Sequence, residues 1–106
     1  MKAGQIISMI DELKENEVND EIKLFWLNEV EGRVCSEVLK READKQNVLI
    51  SLDDELSIPH PYTGLYALYL RAMIAFWEGD YEAYSTVFVE FERMLSDYSR
   101  VVIRSR

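Results

Sequence analysis

The chain has 106 residues, of which 48% are hydrophobic and 30% are charged, and its formal net charge is −8. This balance is typical of one folded domain and excludes an intrinsically disordered chain. The excess of acidic side chains argues against a surface that binds the phosphates of nucleic acid, because such surfaces need clustered Lys and Arg. With only 4 Gly and 2 Pro, the chain has few places to turn, which favours long helices over many short strands.

The negative charge lies mainly in the first part of the chain. Residues 1–60 include 14 acidic and 7 basic side chains, whereas residues 61–106 include 6 acidic and 5 basic ones. Three arginines close the chain: Arg100, Arg104 and Arg106. Arginines at this position are interpreted as complementing a helix dipole or lying in solvent, in preference to binding nucleic acid.

The first two predicted helices span about residues 3–15 and 20–40. Helical spacing of apolar residues indicates the first, and Asn16 is a candidate stop signal. Asn19 or Asp20 is the expected N-cap of the second. Its apolar stripe consists of Trp26, Leu27, Val30, Val34 and Val38.

The next two predicted helices span about residues 62–78 and 80–98. From Leu65 to Trp77 the only charge is Arg71, so the third helix is expected to be the most buried, and it is too short to span a membrane. Gly79 followed by Asp80 is typical of a helix end joined to a new N-cap. The fourth helix has a heptad-like seam, suited to packing along helix three or a neighbouring subunit: Tyr81, Tyr84, Phe88, Phe91, Leu95, Tyr98 and Val102.

Residues 41–61 interrupt the helical pattern. Val48, Ile50 and Leu52 alternate before the acidic pair Asp53-Asp54, and Leu56 and Ile58 precede the Pro59-His60-Pro61 stop. The segment is predicted to be a long loop or a small β-hairpin arm. In a compact helical domain such a segment is either packed against the core or a functional projection. The predicted fold class is therefore all-α, a four-helix bundle-like domain over residues 1–106 with this arm between helices two and three.

No catalytic, cofactor-binding or metal site is predicted. The only histidine, His60, lies between two prolines, and Asp53-Asp54-Glu55 lacks the glycine and alternating oxygens of a calcium loop. The carboxylates of Glu29, Glu31 and Glu37 are interpreted as a solvated helix face. Cys35 is interpreted as a core or boundary residue that forms no internal disulfide, and no signal peptide is expected, which indicates a reducing, cytosolic compartment.

Ten aromatic residues lie in the C-terminal helical hairpin between Tyr62 and Tyr98. Most of them are expected in the core, yet aromatic residues are also enriched in protein interfaces. Core alone is the simpler interpretation, and core plus a subunit interface is the other.

Two runs of sequence resemble a known family. One run leads from Asp20-Glu21-Ile22-Lys23 to Trp26-Leu27-Asn28-Glu29-Val30-Glu31-Gly32-Arg33. The other consists of Pro59-His60-Pro61-Tyr62, Leu65-Tyr66, Ala72, Ile74, Gly79-Asp80-Tyr81 and Tyr84. Together they resemble the head–tail connector (head-completion, DNA-packaging) family of tailed bacteriophages and prophages. The match is one of overall pattern, since each run consists mainly of helix caps and core aromatics.

The resemblance implies a virion assembly protein without enzymatic activity. Such a protein would form an oligomeric ring that joins the portal to the tail around the DNA channel. Its partners would be copies of itself and the portal and tail-completion proteins, with no sequence-specific nucleic acid, membrane or small-molecule substrate. It would act in the bacterial cytoplasm during assembly and then at the head–tail junction of the virion.

A ring requires a contact between two different patches of neighbouring subunits. The arm is expected to form one patch, and the exposed flank of helix two or four the other. The expected interface residues are Val48, Ile50, Leu52, Asp53, Asp54, Leu56, Ile58, Tyr98 and Val102. The alternatives are a cytosolic helical adaptor or regulator that binds one partner, and a small enzyme whose site one sequence does not reveal.

Overall fold

The computed structural model describes residues 1–49 and 51–105. Four α-helices follow in chain order: α1 (Ala3–Leu13), α2 (Asp20–Arg33), α3 (Gly64–Trp77) and α4 (Tyr81–Arg104). A π-helical segment, Val34–Val38, continues α2, and Ala43–Lys45 form one 3-10 turn. The prediction of an all-α fold is confirmed, since the described residues contain no β-strand. The last helix extends beyond the predicted end near residue 98, because its apolar spacing continues through Val102.

The helices run alternately up and down. Lys23 at the start of α2 pairs with Asp11 near the end of α1, and Trp26 of α2 contacts Trp77 at the end of α3. The aromatic seam of α4 packs along α3, as in the edge-to-face contact of Tyr69 with Phe91, whose ring centroids are 5.1 Å apart. The radius of gyration is 13.5 Å, which fits a compact domain of this length.

Helix α3 is the centre of the arrangement and packs against each of the other three helices. It has more buried residues than any other helix, as the sequence predicted: Leu65, Tyr66, Leu70, Ala72, Ile74 and Ala75. The burial of α3 does not extend to its C-terminal end. There Phe76 and Trp77 are 51% and 58% exposed, because the bundle ends at that turn.

The predicted helix caps are confirmed. Asn19 accepts a hydrogen bond from the Ile22 amide at 2.9 Å, and Asp80 accepts one from the Ala83 amide at 3.1 Å. Gly79 lies between the end of α3 and Asp80 and adopts a φ of +79°. This is the left-handed conformation that closes a helix end and that a side chain disfavours. This turn sets α3 and α4 antiparallel.

No hairpin is present among the described residues of 41–61. The isolated antiparallel bridge there joins Lys2 to Glu55, so this bridge pairs the segment with the N-terminal residues of the chain. Leu49, Leu56 and Ile58 are buried in the common core. This segment is therefore a packed loop. No helix in the described part of the chain is long and apolar enough to cross a membrane.

Substitution of Gly79 by Ala is expected to lower the free energy of unfolding by about 1 kcal/mol, because the added Cβ strains a left-handed residue. The matched control is Gly32→Ala in α2, where an added Cβ meets no atom within 4 Å. Ala there should raise stability by about 0.5–1 kcal/mol. Urea unfolding of both variants measures the two effects, and a change of the same sign in both would contradict this turn geometry.

Candidate protein-interaction site

The loop between α2 and α3 is held by a buried carboxylate. Glu31 has no solvent exposure and accepts hydrogen bonds from the Tyr66 hydroxyl, from the Asn47 side-chain amide at 2.6 Å and from the Ser57 hydroxyl at 2.9 Å. The Ser57 backbone amide also donates to it at 3.2 Å. The interpretation of Glu31 as part of a solvated face is thus wrong, whereas Glu29 and Glu37 are exposed.

Tyr66 extends this network to the next loop residue. Its hydroxyl accepts a hydrogen bond from the Ile58 amide at 2.9 Å while it donates to Glu31. Burial, with the charge of Glu31 adding to it, raises the pKa of Tyr66 far above its ordinary value. The hydroxyl therefore stays protonated and keeps donating, which fixes the loop to both α2 and α3.

A second set of hydrogen bonds fixes the first half of the loop. The Asn28 side chain donates to the Leu49 carbonyl at 2.8 Å and accepts from the Leu49 amide at 2.7 Å. The N-terminal residues hold the far side, where the Gly4 and Ala3 amides donate to the carbonyls of Leu52 and Asp54 at 2.8 and 2.9 Å. A Cβ on Gly4 would lie 3.0 Å from the Leu52 carbonyl oxygen, so the close approach depends on glycine.

The structure distributes the expected interface residues among different environments. Leu56, Ile58 and Tyr98 are buried within the chain's own core, and Val102 packs at its edge. Val48 and Leu52 are exposed hydrophobics, Asp53 is exposed and Asp54 is half-buried. Ile50 lies outside the described residues. Of the described residues in this set, Val48, Leu52 and Asp53 are thus the exposed ones.

An open groove of about 510 Å³ lies between α1 and α4, with α3 as its floor. Its walls are mainly apolar: Ile10, Leu13, Ile74, Ala75, Ala83 and Val87. Lys14 and Glu78 in its lining form an ion pair of 3.6 Å, and Asp80 caps α4. The groove therefore has the size and lining of a site for apolar side chains.

Arg71 is the charged group of the groove that has no partner among the described residues. It is exposed, lines the groove, and forms none of the chain's ion pairs or side-chain hydrogen bonds in the described ranges 1–49 and 51–105. A guanidinium favours planar carboxylates, which it binds through two parallel hydrogen bonds. The groove thus combines apolar walls with a free group for an acidic partner.

An exposed aromatic surface adjoins one end of the groove. We call it the aromatic end and define it by Leu13, Phe76, Trp77 and Tyr81, each of which is more than half exposed. Phe76 lies 5.4 Å from Tyr81 between ring centroids, and Trp77, the next residue of α3, contacts Trp26 of α2 at 6.3 Å. Aromatic groups clustered on a surface are characteristic of protein interfaces.

The residues considered for chemistry lie apart from the groove. Cys35 is buried and lies 3.9 Å from the Ser57 hydroxyl, and His60 is exposed on the loop before α3. In residues 1–49 and 51–105, no three His, Cys, Asp or Glu side chains converge as metal ligands would. The arrangement of groove and aromatic end is suited to binding a polypeptide.

Comparison of the chain with protein-family models, curated proteins and solved structures finds no match.

The variant Glu31→Gln is expected to lose at least about 2 kcal/mol of stability. The groups around residue 31 are all hydrogen-bond donors, and in the variant one of the two acceptor oxygens is replaced by an amide NH2 group, which is itself a donor. Protease cleavage within 47–58 should accelerate first, since that loop depends on the carboxylate. Glu37→Gln is the control on the exposed side of the same helical run and should change stability by less than about 0.5 kcal/mol. Urea unfolding and timed proteolysis measure both, and equal behaviour of the two variants would contradict the role of Glu31.

Proposed function

We propose that the chain is a structural assembly subunit of tailed bacteriophages, which forms an oligomeric ring connecting the portal to the tail. The observation that carries the proposal is the aromatic end. Four large apolar side chains remain more than half exposed there. A subunit that assembles with copies of itself and with portal and tail-completion proteins would cover such a surface.

Three features support this function. The described lining of the groove consists of apolar side chains, the ion pair of Lys14 with Glu78, the side chains of Asn16 and Asp80, and the guanidinium of Arg71, a set without a hydroxyl, thiol or imidazole group. The resemblance of the runs at residues 20–33 and 59–84 to head–tail connectors supplies the phage context. The acidic character of the chain, with its net charge of −8, would favour sliding of DNA through a ring in preference to its retention.

The same groove would also serve a monomeric adaptor that binds one acidic, apolar peptide. The two functions differ in the number of copies that bind a partner. A connector forms a ring of several copies on a portal, whereas an adaptor binds its partner as a single copy. The gene order around the coding sequence separates them independently, since portal, capsid and tail genes should flank a connector.

Mixing the purified chain with portal rings from the same locus is expected to add an annular layer to one end of each ring, visible by negative-stain electron microscopy. The variant Trp77→Ala should reduce this binding by about tenfold or more, as truncation of a central aromatic contact does. The control is Val89→Ala, which removes another exposed side chain of 66% exposure on α4, and it should bind like the wild type. A single copy bound per portal ring, or no binding at all, would contradict the connector function.

A further inference from the structure

We propose that the turn at residues 51–54 of one copy docks in the α1–α4 groove of the next copy, where Asp53 pairs with Arg71. This inference rests on the proposed self-assembly and identifies the contact that would produce it. It is carried by two complementary charges that lie unpaired on different parts of one chain. Each charge adjoins apolar groups.

The turn is a rigid feature of the loop. The Asp54 amide donates to the Ser51 carbonyl at 3.2 Å, the Ser51 amide donates to the Asp54 carboxylate at 2.9 Å, and the Asp53 amide donates to the Ser51 hydroxyl at 3.2 Å. The backbone amides of Gly4 and Ala3 also donate hydrogen bonds to the Leu52 and Asp54 carbonyls. The turn is therefore ordered before any partner arrives, which lowers the entropic cost of docking.

The tip of this turn presents an apolar group beside a free carboxylate. Leu52 is 40% exposed and Asp53 is exposed. Within the described residues the Asp53 carboxylate forms none of the ion pairs or side-chain hydrogen bonds. Asp54, in contrast, is engaged with Ser51. The pair Leu52-Asp53 thus matches the apolar walls and free guanidinium of the groove.

The turn of one copy is held away from its own groove. The Leu52 carbonyl accepts a hydrogen bond from the Gly4 amide, in the first turn of α1. The groove is lined by Ile10, Leu13 and Lys14, which lie toward the other end of that helix. Gly4 precedes Ile10 by six residues and Leu13 by nine in α1, so the attachment point of the turn lies about 9–14 Å from the groove residues along the helix axis at 1.5 Å per residue. Docking therefore joins two different patches of two copies, the heterologous contact from which rings are built.

The distribution of charge along the chain agrees with docking of the acidic turn in the groove. Residues 1–60, which contain the turn, include 14 acidic and 7 basic side chains, whereas residues 61–106, which contain Arg71, include 6 and 5. Two like patches of the acidic part would repel each other. Docking of the acidic turn in the groove reduces this repulsion, because the charged groups of the groove lining are balanced, Lys14 and Arg71 against Glu78 and Asp80.

Charge reversal on the full chain tests the pairing. Arg71→Asp and Asp53→Arg should each weaken self-association by at least about tenfold, because each places like charges in contact. The double variant Asp53→Arg/Arg71→Asp should return to within about threefold of the wild type, since the pair is restored with its signs exchanged. Sedimentation velocity over a concentration series, alone and on portal rings, measures association.

Matched controls separate a specific contact from an effect of net charge. Lys45→Asp and Glu42→Arg make the same charge changes at exposed loop positions and should leave association unchanged. Thermal unfolding of all variants by circular dichroism should agree within a few degrees, because neither the Asp53 carboxylate nor the Arg71 guanidinium has a partner within the described parts of the chain.

The outcomes distinguish the inference from the proposed function. If the wild type assembles and Arg71→Asp assembles equally well, the docking inference is overturned while self-assembly stands. If both single variants lose assembly and the double variant does not recover it, the two residues do not pair, and the inference is likewise overturned. If the wild type assembles neither alone nor on portal rings, the proposed function fails together with the inference.

Discussion

The shape of the molecule depends on the hydrogen bonds that the buried carboxylate of Glu31 accepts. This carboxylate gathers Tyr66 from α3 and Asn47 and Ser57 from the loop around one acceptor. An ionised carboxylate in the interior is costly unless its oxygens are well supplied with donors. The loop provides most of those donors, so the loop and the carboxylate stabilise each other. Through this network a segment without regular secondary structure acquires a fixed position.

This constraint connects the fold to the proposed interface. Because Glu31 and Asn28 fix one side of the loop and the N-terminal residues fix the other, the turn at 51–54 is presented at a defined place beside the start of α1. The groove arises from the same arrangement, since α1 and α4 both pack on α3 and leave a gap between them. The two candidate docking elements are thus consequences of the helical packing.

The local elements of this fold could be predicted from sequence because their causes are local. The caps at Asn19 and Asp80, the turn at Gly79 and the burial of α3 each follow from residues within a few positions. The burial of Glu31 had a signal too, since it lies four residues after Leu27 and three before Val34, on the inner face of α2. Its partners come from residues 47–66, however, and no periodicity within α2 indicates them.

The loop and the candidate site were harder to predict for the same reason. The alternation of Val48, Ile50 and Leu52 favours a strand, yet Leu49 is the residue that enters the core, because Asn28 binds its backbone and the N-terminus binds the turn beyond it. Arg71 was visible as the only charge between Leu65 and Trp77. Its place in a groove became clear only when α1 and α4 were positioned around α3.

Amide hydrogen exchange of the chain, dilute and assembled, tests the central claim most directly. In the dilute chain the Leu49, Ser51, Ser57 and Ile58 amides should exchange slowly, because each is bonded to a side chain of the fixed loop network. On assembly, added protection should appear both at residues 51–54 and along the groove at residues 71–78. Fast exchange of the loop in the dilute chain, or protection on assembly that spares both regions, would contradict the account.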